Sequence, residues 1–172
     1  MPFTRTHRLA LTLAAASLIL ASCADDSAPT TTMMDDHADD HGAEFHFGEP
    51  GHADEADRVI DIDANDDFTF SPSEITVSAG ETITFRITNT GNLPHDFTLG
   101  DQETQDAHEA EMVEMMESGE MMMHDDANAV VLAAGETKEL TWHFTESGTV
   151  LIGCHQTGHY AAGMKGAVTV ES

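Results

Sequence analysis

Residues 67–91 read DFTFSPSEITVSAGETITFRITNTG. Apolar side chains fall on alternate positions in successive runs: Phe68 and Phe70, Ile75 and Val77, then Ile83, Phe85 and Ile87. A period of two is that of a strand with one face on a core. Ser78-Ala79-Gly80 and Asn89-Thr90-Gly91-Asn92 punctuate the runs as turns. Working outward, VIDID over 59–63 alternates before this stretch, and ETKELTWHFTESGTVLIGC over 136–154 alternates after it. In the later run Leu140, Trp142, Phe144, Val150 and Ile152 point one way, which leaves His143 as a solvated strand histidine on the opposite face. A last strand, GAVTVE, follows at 166–171. About seven short strands within one domain predict an all-β fold, a Greek-key antiparallel sandwich of two sheets spanning 58–172.

The rest of the chain differs in kind. Arg5 and Arg8 precede the apolar run Leu9–Leu20, which is too short for a bilayer core of roughly 30 Å and reads as a signal peptide over 1–22. The following Leu20-Ala21-Ser22-Cys23 resembles the lipobox of a bacterial lipoprotein, which implies cleavage before Cys23 and a lipid anchor on its sulfur. Residues 23–57 are acidic, without a sustained apolar period, and are expected to form a disordered tether. Its His37, His41, His46 and His52 either bind metal loosely or belong to a solvated spacer.

Charge narrows the function. The chain has 32 acidic residues against six basic ones, a net charge of −26. Beyond Cys23 only Arg58, Arg86, Lys138 and Lys165 oppose the carboxylates. Nucleic-acid binding needs a basic face and is excluded. The surface favours cations and basic partner proteins. With Cys23 acylated, Cys154 has no disulfide partner, and a lone thiol in an exported protein is stable when buried or bonded to metal.

Residues 101–127 interrupt the strand pattern and contain Met112, Met115, Met116, Met121, Met122 and Met123. A helix is expected over Gln105–Ser118, with His108, Met112, Met115 and Met116 on one face. That face is either an adaptable packing surface or a thioether site for Cu(I). Met121, Met122, Met123 and His124 extend the second possibility, because three adjacent methionines cannot all face a core.

The residues that carry chemistry are in GCHQTGHYAAGMKG over 153–166: Cys154, His159 and Met164, five residues apart in turn. A one-electron copper site needs a geometry acceptable to Cu(I) and Cu(II), and a thiolate, two imidazoles and a weak axial thioether supply it. His95 in NLPHDFTL is the best candidate for the second imidazole. His108 and His124 belong to the acidic insertion and fit less well. His155 has no companion histidine arranged to build a second copper cluster.

On these residues the stretch from about Arg58 to Glu171 resembles the plastocyanin/azurin family, the cupredoxins. The resemblance implies a cupredoxin-like sandwich and one type 1 copper held by His95, Cys154, His159 and Met164. Asp96 stands where many relatives have Asn, and Thr157 where relatives with this loop length often have Pro. The resemblance also implies a binding protein rather than an enzyme. The expected role is a one-electron carrier at the cell envelope, lipid-anchored, monomeric, and serving redox partner proteins. The alternative is an extracytoplasmic copper-binding protein of copper homeostasis or resistance, which the Met-rich insertion favours by adding Cu(I) sites.

Overall fold

The computed structural model describes residues 45–119 and 125–172. The expected signal peptide, Cys23, the tether to residue 44, and Met121, Met122, Met123 and His124 lie outside the described residues.

The described chain opens with strands β1 (Glu49–Pro50), β2 (Arg58–Asn65), β3 (Thr69–Ser71), β4 (Glu74–Ser78), β5 (Thr82–Asn89) and β6 (His95–Gly100), of which β2 to β5 are the alternating runs. After helix α1 (Gln102–Ser118) come β7 (Ala129–Leu132), β8 (Thr137–His143), β9 (Gly148–Gly153), the short helix α2 (His159–Ala162) and β10 (Lys165–Glu171). They make two five-stranded sheets, ordered β1-β8-β5-β2-β3 and β4-β10-β9-β6-β7. The core lies between them: Ile62, Ile83, Phe85, Ile87 and Trp142 from one sheet meet Val77, Phe97, Leu99, Ile152 and Val168 from the other. No helix among the described residues is long and apolar enough to cross a membrane.

The sandwich is not wholly antiparallel, as the strand pattern had suggested. β2 pairs with β5, and β4 with β10, in parallel. The chain leaves the first sheet at β4 and returns at β5, so β5 lies beside β2 running in the same direction.

The domain also begins earlier than the expected boundary at residue 58. Phe47 is 5% exposed and stacks on Trp142, with ring centroids 5.2 Å apart and planes 26° apart. Phe45 meets the same indole edge-on. β1 pairs with β8 through Glu49 and His143, and the Thr82 N–H donates to Asp57 Oδ2 at 2.8 Å. His143 is correspondingly half-buried rather than solvated, its Nδ1 2.9 Å from Thr82 Oγ1. Two aromatic residues inside an acidic stretch have no periodic neighbours, and their partner is distant in the chain, so local pattern reads them as tether.

The helix starts at Gln102, ahead of the predicted Gln105, because Asp101 caps it: the Thr104 N–H donates to Asp101 Oδ1 at 2.8 Å. Its inward stripe is Gln105, His108, Glu109, Met112 and Met115. Gln105 is fully buried and docks the helix on the second sheet, its Nε2 donating to Thr98 O at 3.1 Å and Leu151 O at 3.4 Å.

If 45–57 is part of the domain, Phe47→Ala lowers unfolding free energy by about 3 kcal/mol, as for a buried aromatic. Chemical denaturation measures this, and a solvated tether would give a change within about 0.5 kcal/mol.

Candidate metal centre

β6 and β9 are antiparallel neighbours, with Thr98 opposite Gly153. That pairing puts Cys154, the residue after β9, beside the start of β6, where His95 and Asp96 lie. The Asp96 backbone N–H reaches Cys154 Sγ at 3.5 Å. The turn into β6 is held by Asn89, fully buried, whose Nδ2 donates to Leu93 O at 2.7 Å and whose Oδ1 accepts from the Gly91 N–H at 2.9 Å.

After Cys154 the chain turns through α2, which is bounded by Gly158 and Gly163 at φ of 82° and 102°. A side chain at either would be strained, and both positions are glycine. The Met164 N–H donates to His159 O at 3.0 Å and the Cys154 N–H to Met164 O at 3.2 Å, closing the loop on itself.

The result is a buried group of three donors. Cys154 Sγ lies 3.4 Å from His159 Nδ1 and 3.8 Å from His95 Nδ1. The three donor atoms are all within 4.8 Å of one another. Met164 is fully buried on the same loop, like His95 and Cys154, while His159 is 8% exposed. His159 is thus the member of the set nearest solvent. Phe68 lies against its ring, centroids 4.6 Å apart. The alternation had grouped Phe68 with Phe70 on the core face. It is half-buried and packs against the core, and its positive φ of 62° in the turn between β2 and β3 also brings it to the metal group.

The electrostatics suit a soft cation that displaces a proton. Burial pushes the Cys154 thiol well above its ordinary range, and the nearby Asp96 carboxylate adds to this. Burial holds His95 and His159 below the ordinary imidazole range, so both offer lone pairs at neutral pH. A thiol and two neutral imidazoles converging in a dry pocket match the N₂S donor set of copper electron-transfer sites. These donors therefore fit a copper ion, whose binding would take the thiol proton.

Asp96, the departure from the usual Asn, is 2% exposed and braces the loop. Its Oδ1 accepts from the His155 N–H at 2.8 Å and the Gln156 N–H at 3.0 Å, and its Oδ2 from Thr98 Oγ1 at 3.1 Å. The carboxylate thus supplies the acceptor a side-chain amide would, and adds a charge beside the thiol.

His155 is outside the donor group, and sequence reasoning gave it no role. It is 1% exposed, with Nδ1 2.8 Å from Glu109 Oε2 and Nε2 2.7 Å from Gln105 Oε1. Its ring stacks on Tyr160 at 4.5 Å and meets His108 edge-on at 5.0 Å. The insertion helix is therefore fastened to the copper-binding loop. The i, i+4 spacing of Gln105 and Glu109 was the available signal, but it needed His155 as a known target. His108, Met112 and Met115 are half-buried on that same helix face, and Met116 lies within α1. His46 and His52 are exposed, His46 lying 3.6 Å from Asp101 Oδ2.

Residues 56–171 match the family described as copper binding proteins, plastocyanin/azurin family. The chain is 37% identical to the copper-resistant cuproprotein CopI of Pseudomonas aeruginosa over 150 residues, 73% of this chain and 82% of that protein. It is also 37% identical to CopI of Rubrivivax gelatinosus, over 81% of this chain and 88% of that one. Among solved structures, auracyanin A, a "blue" copper protein from Chloroflexus aurantiacus, superposes with a TM-score of 0.54 at 26% identity, covering 66% of this chain and 98% of that one. The chain belongs to the plastocyanin/azurin family of copper-binding proteins, the cupredoxins.

The brace can be tested without metal. Asp96→Ala leaves one buried and one part-buried backbone N–H unpaired and costs about 1–3 kcal/mol. Asp96→Asn keeps an acceptor oxygen and costs less. Urea unfolding of the two metal-free variants would show equal losses if the carboxylate does not carry those bonds.

Proposed function

We propose that this chain is an exported type 1 copper protein of copper tolerance, binding one copper through His95, Cys154, His159 and Met164. The observation that carries this is the buried His95–Cys154–His159 group in a chain similar over most of its length to copper-resistant cuproproteins. Bound there, copper supplies a one-electron couple between Cu(I) and Cu(II). Cys154 provides the thiolate, and the Asp96 N–H, aimed at Sγ, steadies its charge. The β6–β9 pairing and the closed loop keep the donors in one arrangement, so little reorganises between oxidation states. His159 opens the site to solvent at its edge.

Tolerance is favoured over simple electron carriage by the insertion helix. A histidine and two thioethers at i, i+4 and i+7 share the face of α1 that lies against His155, a donor set suited to additional Cu(I). Met116, Met121, Met122, Met123 and His124 belong to the same soft-ligand tract of the sequence. Electron carriage to redox partner proteins remains the second reading. It is supported by the rim of the site, where Leu93 is 42% exposed and Ala161 and Ala162 are exposed beside His159. In either role the protein is non-enzymatic and monomeric, attached to an envelope membrane through Cys23, and its acidic surface steers basic partners.

Cu(II) loading is expected to give an intense visible thiolate-to-copper band that Cys154→Ser abolishes. A band that persists in the variant removes Cys154 from the site. The insertion is tested separately: His108→Asn with Met112→Leu and Met115→Leu should leave that band intact and lower Cu(I) stoichiometry. Unchanged stoichiometry and copper tolerance in cells would favour the carrier reading.

A further inference from the structure

His95 has one nitrogen that the donor group does not use. Its Nδ1 faces Cys154 Sγ, while Nε2, on the other side of the ring, is buried without a hydrogen-bond partner among the described residues. The group facing that nitrogen is a carboxylate: Asp66 Oδ1 lies 3.7 Å away, just outside hydrogen-bond distance.

Asp66 is not a loose surface acid. It sits in the turn between β2 and β3 and is fixed by the loop that leads into β6. Its oxygens accept from the Asn92 N–H at 2.9 Å, the Leu93 N–H at 3.1 Å and Asn92 Nδ2 at 3.2 Å. These bonds hold its carboxyl below the ordinary range, so it is charged at neutral pH. Gly91 makes the approach possible, since a Cβ there would collide with Asp66 Oδ1. The same loop therefore places both the imidazole and the carboxylate that faces it.

We infer that Asp66 is a positioning residue for copper: it keeps the proton of His95 on Nε2, which frees Nδ1 as the donor, and its charge favours Cu(II) over Cu(I). A neutral imidazole carries one proton, and a carboxylate beside one nitrogen fixes which nitrogen has it. The same contact raises the basicity of the nitrogen that binds metal. The negative charge acts more strongly on the more positive ion. Asp96 braces the other side of the site through the Cys154 loop, and its charge also reaches His95, so Asp66 differs from it in facing the imidazole nitrogen directly. The inference rests on reading the group as a copper site.

The test uses the full chain and Asp66→Asn. Nitrogen-15 NMR of the metal-free protein should show His95 protonated at Nε2 in the wild type and a mixture of tautomers in the variant. A wild-type His95 protonated at Nδ1 overturns the inference, whatever the variant does. With copper, chelator competition should show Cu(II) affinity falling about tenfold, the low end for the loss of such a partner. With Cu(I) affinity unchanged, the reduction potential rises by about 59 mV, the one-electron equivalent of tenfold. An unchanged potential in a variant that unfolds at the wild-type midpoint also overturns it. If the wild type gives no thiolate–Cu(II) band, the copper reading itself fails, and the metal-free tautomer still decides whether Asp66 positions His95.

Discussion

The antiparallel pairing of β6 with β9 is the constraint on which the copper site depends. Thr98 opposite Gly153 fixes the register, and His95 and Cys154 sit three and one residues beyond that pair. A slip of one residue would turn each side chain to the other face of the sheet. The register is in turn held by Leu99 and Ile152, both fully buried and directly opposite one another. The hydrophobic core thus positions the donors, and the donors need contribute little to their own placement.

Around this pair the structure adds polar braces that differ in reach. Asp96 ties the Cys154 loop back to β6 through two backbone N–H groups. Gln105 and Glu109 hold the same loop from the insertion helix through His155. Phe68 closes the site over His159 from the opposite sheet. Each comes from a different segment, so the loop carrying Cys154, His159 and Met164 is constrained on several sides.

The insertion has two faces of meaning. Its inward stripe includes Gln105 and Glu109, which serve structure, His108, which meets His155, and the half-buried Met112 and Met115. The packing and metal-binding readings of a methionine stripe are therefore not exclusive here. A helix fastened to the copper loop by polar contacts leaves its thioethers free to adapt.

The amino-acid sequence by itself showed the alternating strands, the helix within the insertion and the grouping of His95, Cys154 and His159. Alternation at Ile83, Phe85 and Ile87 is a local property of a half-buried strand, and the spacing of Cys154, His159 and Met164 is local to one loop. What only the tertiary structure decided has a non-local cause. Phe45 and Phe47 join the core because Trp142 offers a ring face, and nothing near them in the chain shows it. Phe68 turns to the metal group because the chain bends at a positive φ that alternation cannot register. The His155 ring nitrogens acquire their partners only when α1 docks, and Asp66 meets His95 only because the loop before β6 folds back onto the turn after β2. Periodicity reports which face of an element is buried; which side chains then converge is set by how the two sheets and the helix pack.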